Sequence, residues 1–144
     1  MYADRPQAPG YLANLMARLF HDVAGARLEP LGIQPEQFPF LVELWFGDAN
    51  VTRARLMQSQ EMDGRDVESM LLWLTADRLI EPVPLGDDEK IVLTAGAVAA
   101  RDAAVAAARR ANQAAAGVLS ADEMAQLLGL MNRVIDALQA AKSG

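Results

Sequence analysis

One break in periodicity constrains this chain more than any other feature. For most of its length apolar residues recur every three to four positions, the spacing of a helix face. Between them, Glu81-Pro82-Val83-Pro84-Leu85 and Lys90-Ile91-Val92-Leu93 flank a turn at Gly86-Asp87-Asp88-Glu89 and read as a small hairpin. The two prolines remove ladder donors, so the first arm is expected to be an edge strand at best. A chain of 144 residues suits one domain, and with a single short hairpin among helices that domain is mainly α.

The helices follow from capping and periodicity. Leu12, Leu15, Met16, Leu19, Phe20 and Val23 share a face, which predicts a first helix from Tyr11 to about Arg27, stopped by Pro30 and Gly32. Pro35 suits the first position of a second helix with the stripe Phe38, Leu41, Leu44 and Trp45, and Gly47-Asp48-Ala49-Asn50 ends it. Thr52 is an N-cap for a short third helix through Leu56 and Met57. Asp63, with Asp66 three residues on, caps a fourth whose apolar face is Val67, Met70, Leu71 and Leu74. So short a separation predicts a helix-turn-helix. Beyond the hairpin, Thr94 caps an Ala-rich helix to about Ala116. Ser120-Ala121-Asp122-Glu123 is a capping box for a last helix with the stripe Met124, Leu127, Leu128, Met131, Ile135 and Leu138.

The expected fold class is therefore a mainly α winged helix-turn-helix with six helices and a small β-hairpin wing. The outer helices carry more apolar surface than so small a central unit covers. That predicts N- and C-terminal helices forming a dimerisation region with a second copy, with an intramolecular bundle as the alternative.

Composition excludes several function classes. With no Cys and a single His21, thiolate and imidazole metal sites are not expected, nor is any cofactor. No G-x-S-x-G, G-x-G-x-x-G or Walker-type loop occurs, so no catalytic residue is assigned and an enzyme is not expected. Asp87, Asp88 and Glu89 lack the spacing of a Ca²⁺ loop and read as a solvated turn. No apolar run reaches the roughly 20 residues of a membrane span. The start Met1-Tyr2-Ala3-Asp4-Arg5-Pro6 is unlike a signal peptide, so a cytoplasmic protein with no membrane partner is expected.

Four segments resemble the MarR family of dimeric bacterial regulators. Leu31-Gly32-Ile33-Gln34-Pro35-Glu36-Gln37-Phe38 is similar to the family's entry to its second helix, and Leu74-Thr75-Ala76-Asp77-Arg78-Leu79-Ile80 to the end of its recognition helix. Leu93-Thr94-Ala95-Gly96 resembles the step from wing to fifth helix, and Leu119-Ser120-Ala121-Asp122-Glu123 the start of the last. The resemblance implies one MarR-like domain over 1–144, with dimerisation arms at about 11–30 and 95–141 and the winged helix-turn-helix at about 35–94. It further implies a homodimer whose recognition helix enters the major groove of double-stranded DNA, with the wing on the minor groove and release on binding a small aromatic or apolar effector.

Charge sets two functions against each other. From Thr52 to Thr94 the cations Arg53, Arg55, Arg65, Arg78 and Lys90 meet nine acids, leaving that unit at −4 within a chain of −6. At the positions matching the recognition helix stand Arg65, Asp66, Val67, Glu68 and Ser69, and the shortened wing lacks the family's basic tip. The turn before that helix reads Gln60-Glu61-Met62 where the family has a Leu-Gly-apolar pattern. Candidate DNA-binding residues are Arg53, Arg55, Arg65, Asp66, Glu68, Ser69 and Lys90, with Glu68 able to accept from a cytosine amino group. The alternative is a MarR-fold ligand-sensing or protein-interaction module with weakened or lost DNA binding. Met16, Phe20, His21, Phe38, Phe40, Trp45 and Trp73 are candidates for an apolar ligand pocket, with core packing as the competing reading for the large side chains.

Overall fold

A computed structural model describes residues 4–47, 51–60 and 62–144. The order is α1 (Pro9–Leu28), a 3₁₀ turn (Glu29–Leu31), α2 (Phe38–Phe46), α3 (Arg53–Ser59), α4 (Gly64–Ala76), β1 (Ile80–Leu85), β2 (Asp88–Leu93), α5 (Ala95–Ala116) and α6 (Ala121–Ser143). This is a winged helix-turn-helix: α3 and α4 form the motif, and the antiparallel pair β1–β2 is the wing. Two compact units divide it, one running to Ala108 and the other from Arg109 to Gly144.

Two boundaries differ from the sequence expectation, each for a local reason. Helix α1 starts at Pro9, which tolerates the first turn because a leading N–H has no intrahelical partner. Pro35 does not open α2. Gln37 accepts the Gln34 N–H at 2.8 Å on its side chain and donates its own N–H to the Gln34 carbonyl, so 34–37 close as a turn and the helix begins at Phe38. Pro39 then occupies its first turn. Of the stop predicted at Gly47–Asn50, Gly47 is the C-cap of α2, and Asp48, Ala49 and Asn50 lie outside the described residues.

The wing is longer and tighter than expected. Its loop is only Gly86-Asp87, because Leu85 pairs with Asp88 and the ladder continues to Ile80 opposite Leu93. Gly86 has φ +60°, the left-handed value that a two-residue hairpin loop with Gly first requires. Asp88 and Glu89 are therefore strand residues rather than part of a solvated turn. Both prolines fit because they are two apart and alternate with the hydrogen-bonded positions, so their missing donors fall on the open edge of β1. On the outer edge of β2, the Ile91 N–H donates to the Val51 carbonyl at 3.0 Å, and Thr52 bridges Lys90. Thr94 closes the base: its hydroxyl donates to the Arg78 carbonyl at 2.7 Å and accepts the Ala97 N–H, capping α5.

The core of the first unit joins Leu28, Ile33, Leu41, Leu56, Val67, Leu74, Ile80 and the α5 residues Ala97, Ala104 and Ala107. Alanine on α5 lets its backbone approach closely enough for the Trp45 indole N–H to donate to the Ala97 carbonyl at 2.9 Å. Among the described residues one polar side chain is buried. Gln37 is fully enclosed and donates from Nε2 to Asp77 Oδ2 at 2.9 Å, tying the entry of α2 to the end of α4.

In the second unit, Ser120 accepts the Glu123 N–H and Glu123 accepts the Ser120 N–H, completing the expected capping box. Helix α6 buries no residue; Leu128, Leu130, Met131, Val134, Ile135 and Leu138 are 41–64% exposed. Helix α1 likewise leaves Tyr11, Met16, Leu19 and Val23 40–51% exposed.

Removing the buried amide should show the weight of the α2–α4 tie. Gln37→Ala leaves the Gln34 N–H without its side-chain acceptor, takes a donor from Asp77 and opens a void, so a loss of about 1–3 kcal/mol is expected in urea denaturation. A variant as stable as the natural chain would show that the tie contributes nothing.

Candidate nucleic-acid interface

Helix α4 has two distinct sides. Val67, Leu71 and Leu74 are buried and Met70 half-buried, while Arg65, Ser69, Leu72 and Ala76 recur at the i, i+4, i+7, i+11 spacing of the opposite, exposed side. Asp66, Glu68 and Trp73 flank that exposed stripe. The helix is packed against the core on one face and free along the other, as a groove-reading helix must be.

Its N-terminus is already occupied. Asp63 Oδ1 accepts from the Arg65 N–H at 2.9 Å and the Asp66 N–H at 3.0 Å. Those donors would otherwise be available to a phosphate. Thr52 does the same for α3, accepting the Arg55 N–H. Between the two helices, Gln60 Nε2 donates to the Pro39 carbonyl at 3.4 Å; Glu61 lies outside the described residues.

Two carboxylates tie the motif to itself and to the wing. Glu68 Oε2 lies 3.5 Å from Arg53 Nη2, linking α4 to the start of α3. Both side chains are solvent-accessible, so the pair adds little stability but holds the charge of Arg53. Asp88 Oδ1 accepts from the Glu89 N–H at 2.8 Å and the Ala54 N–H at 3.4 Å, joining β2 to the first turn of α3. The Glu89 N–H is the largest cause holding this carboxylate below its ordinary value; partial desolvation opposes it, while the Ala54 N–H, the Thr52 hydroxyl and the Arg53 charge add to it.

Among the sequence candidates, the fold brings Arg53 and Glu68 together, with Arg53 close enough to Asp88 of β2 for its charge to act on that carboxylate. Arg65, Asp66 and Ser69 stand exposed on α4, Arg55 is exposed on α3, and Lys90 is half-buried in β2 opposite Thr52. The pocket candidates separate. Phe40 and Trp45 belong to the core, and Phe38 packs edge-on against Trp45 with ring centroids 5.9 Å apart. Met16 is exposed, Phe20 half-buried, and Trp73 lies on the flank of α4 at 37% exposure. His21 Nδ1 is 3.6 Å from Glu36 Oε1, so it faces the turn before α2. Asp88 was missed as a candidate because the four-residue turn seemed to contain it. The pair Gly86-Asp87, a two-residue hairpin signal, could have placed it in the strand. Among the described residues no group of three or more His, Asp or Glu could hold a metal ion, and no helix is long and apolar enough to cross a membrane.

No protein-family profile matches the chain, and no curated protein matches it. Solved structures do. A MepR–DNA complex from S. aureus superimposes with a TM-score of 0.85 at 20% identity, covering 92% of this chain and 99% of that one. A MarR variant from E. coli complexed with operator DNA gives 0.76 at 24% identity, covering 87% and 91%. The chain has the MarR fold. A MarR transcriptional regulator from Methanosarcina mazei Go1 shares this MarR fold at only 15% identity, with a TM-score of 0.77 over 92% of this chain and 90% of that one.

The Asp88 tether has a definite pH signature. Its folded-state pKa is lowered, so its contribution is complete above the ordinary aspartate value of 3.8 and is lost as pH falls through the lower folded value. Followed by NMR, the Ala54 and Glu89 amide shifts should titrate together with a midpoint below 3.8, and Asp88→Asn should abolish that titration. A midpoint at the ordinary value would show that the two N–H groups do not hold the carboxylate.

Proposed function

We propose that this chain is a homodimeric, non-enzymatic transcription regulator of MarR type. It reads duplex DNA with α4 in the major groove and the wing alongside, in the cytoplasm, under the control of a small aromatic or apolar effector. The observation that carries the reading is the free stripe of α4, Arg65, Ser69, Leu72 and Ala76, within a fold shared with proteins solved on DNA. Arg55, Arg65, Ser69 and Lys90 supply phosphate contacts, Asp66 and Glu68 lie on the side of α4 that faces the bases, and Arg53 stays paired with Glu68. The exposed apolar faces of α1 and α6 support the dimer, since each is the side of a helix that a second copy would cover. In this reading the winged unit spans about 35–94 and the dimerisation arms about 11–30 and 95–141. The effector draws on Met16, Phe20, His21, Phe38 and Trp73, which keep accessible surface, more than on Phe40 and Trp45.

A second reading has its own support. Asp63 occupies the α4 amides, Glu68 holds Arg53 and the wing loop carries Asp87, so a MarR-fold module for ligand sensing or protein interaction could have lost most DNA affinity. Fluorescence anisotropy against the duplex upstream of the protein's own gene separates the two. DNA reading predicts saturable binding at low salt with two chains per duplex in sedimentation. Glu68→Gln should then tighten binding and steepen the log–log salt slope by about 0.9 as Arg53 gains a phosphate. No binding by either form would remove the DNA function, and one chain per duplex would remove the dimer.

A further inference from the structure

Leu72 is 67% exposed, more than any other large apolar side chain among the described residues up to Ala108. It stands at the middle of the free side of α4, where a solvated helix would ordinarily place a polar residue. Its stripe neighbours are Ser69 and Ala76, both small, so neither shields it nor holds the helix away from an approaching surface. On the proposed DNA reading, the face of the duplex that α4 meets offers one apolar group, the C5-methyl of thymine.

The geometry points to Leu72 as a specificity-determining residue that reads a thymine methyl in the major groove. The inference rests on the DNA function proposed above. It also fixes a spacing. Leu72 is two helical turns beyond Arg65, a rise of about 10 Å, so with α4 aligned along the duplex axis the thymine lies about three base-pair steps from the base or phosphate that Arg65 meets. Arg65 favours a guanine if it reaches a base edge.

The test uses the full chain and a duplex selected from a randomised pool at low salt. Each thymine of that duplex is replaced singly by deoxyuridine, which keeps the pairing and removes only the methyl. For the natural protein, one thymine per half-site should lose about fourfold in affinity, the value of one buried methyl. Leu72→Ala, at an exposed position that should leave folding intact, should bind the thymine and deoxyuridine duplexes equally. If the natural protein binds every deoxyuridine duplex as tightly as the parent, the inference falls while DNA reading stands. If Leu72→Ala keeps the same sensitivity, another group reads the methyl and the inference falls again. If the pool yields no enriched duplex, both fall together.

Discussion

The winged unit depends on one strand edge. The Ile91 N–H bonded to the Val51 carbonyl, with Thr52 bridged to Lys90, makes the chain just before α3 a short third partner of the wing. Because α3 starts one residue later with Thr52 as its cap, wing and motif share a fixed origin. Asp88 reinforces the same junction through Ala54, and Thr94 closes the opposite end by joining the Arg78 carbonyl to the start of α5. Helix α4, held at its far end by Gln37 and Asp77, is thereby oriented relative to the wing by backbone and side-chain hydrogen bonds rather than by surface ion pairs.

The acidic balance of this unit has a structural use. Asp63 caps α4, Asp88 ties the wing to α3, and Glu68 pairs with Arg53. Each satisfies N–H groups or a cation that would otherwise be open, and an N-cap of this kind stabilises by about 1 kcal/mol. On the proposed DNA reading, the same carboxylates stand where a phosphate backbone would approach. Stability of the motif and affinity for an anion therefore draw on the same donors, and a reader built this way relies on few phosphate contacts and on direct contacts to bases.

Much of this was legible in the sequence because the signals were local. Thr52, Asp63, Thr94 and Ser120 each cap the helix that they announce, and the stripes on α2 and α4 point into the core as their spacing requires. What was not legible depends on partners far along the chain. Pro35 looked like a helix start, and only the Gln37 side chain, committed to Gln34 and Asp77, delays α2 to Phe38. Pro82 and Pro84 seemed to weaken β1, but their shared parity with an open edge removes the penalty. The ion pair between Arg53 and Glu68 joins residues of different helices, which no single-helix pattern reports. For the ligand-pocket candidates, composition could not separate Phe40 and Trp45, which are core, from Met16 and Phe20, which keep surface.

The central claim is that α4 and the wing together form the DNA-reading surface, and amide hydrogen exchange with and without a selected duplex tests it most directly. The account predicts added protection concentrated in residues 63–77 and 85–91, with the amides of α6 changing little. Protection confined to α1 or α6, or none at saturating duplex, would contradict it.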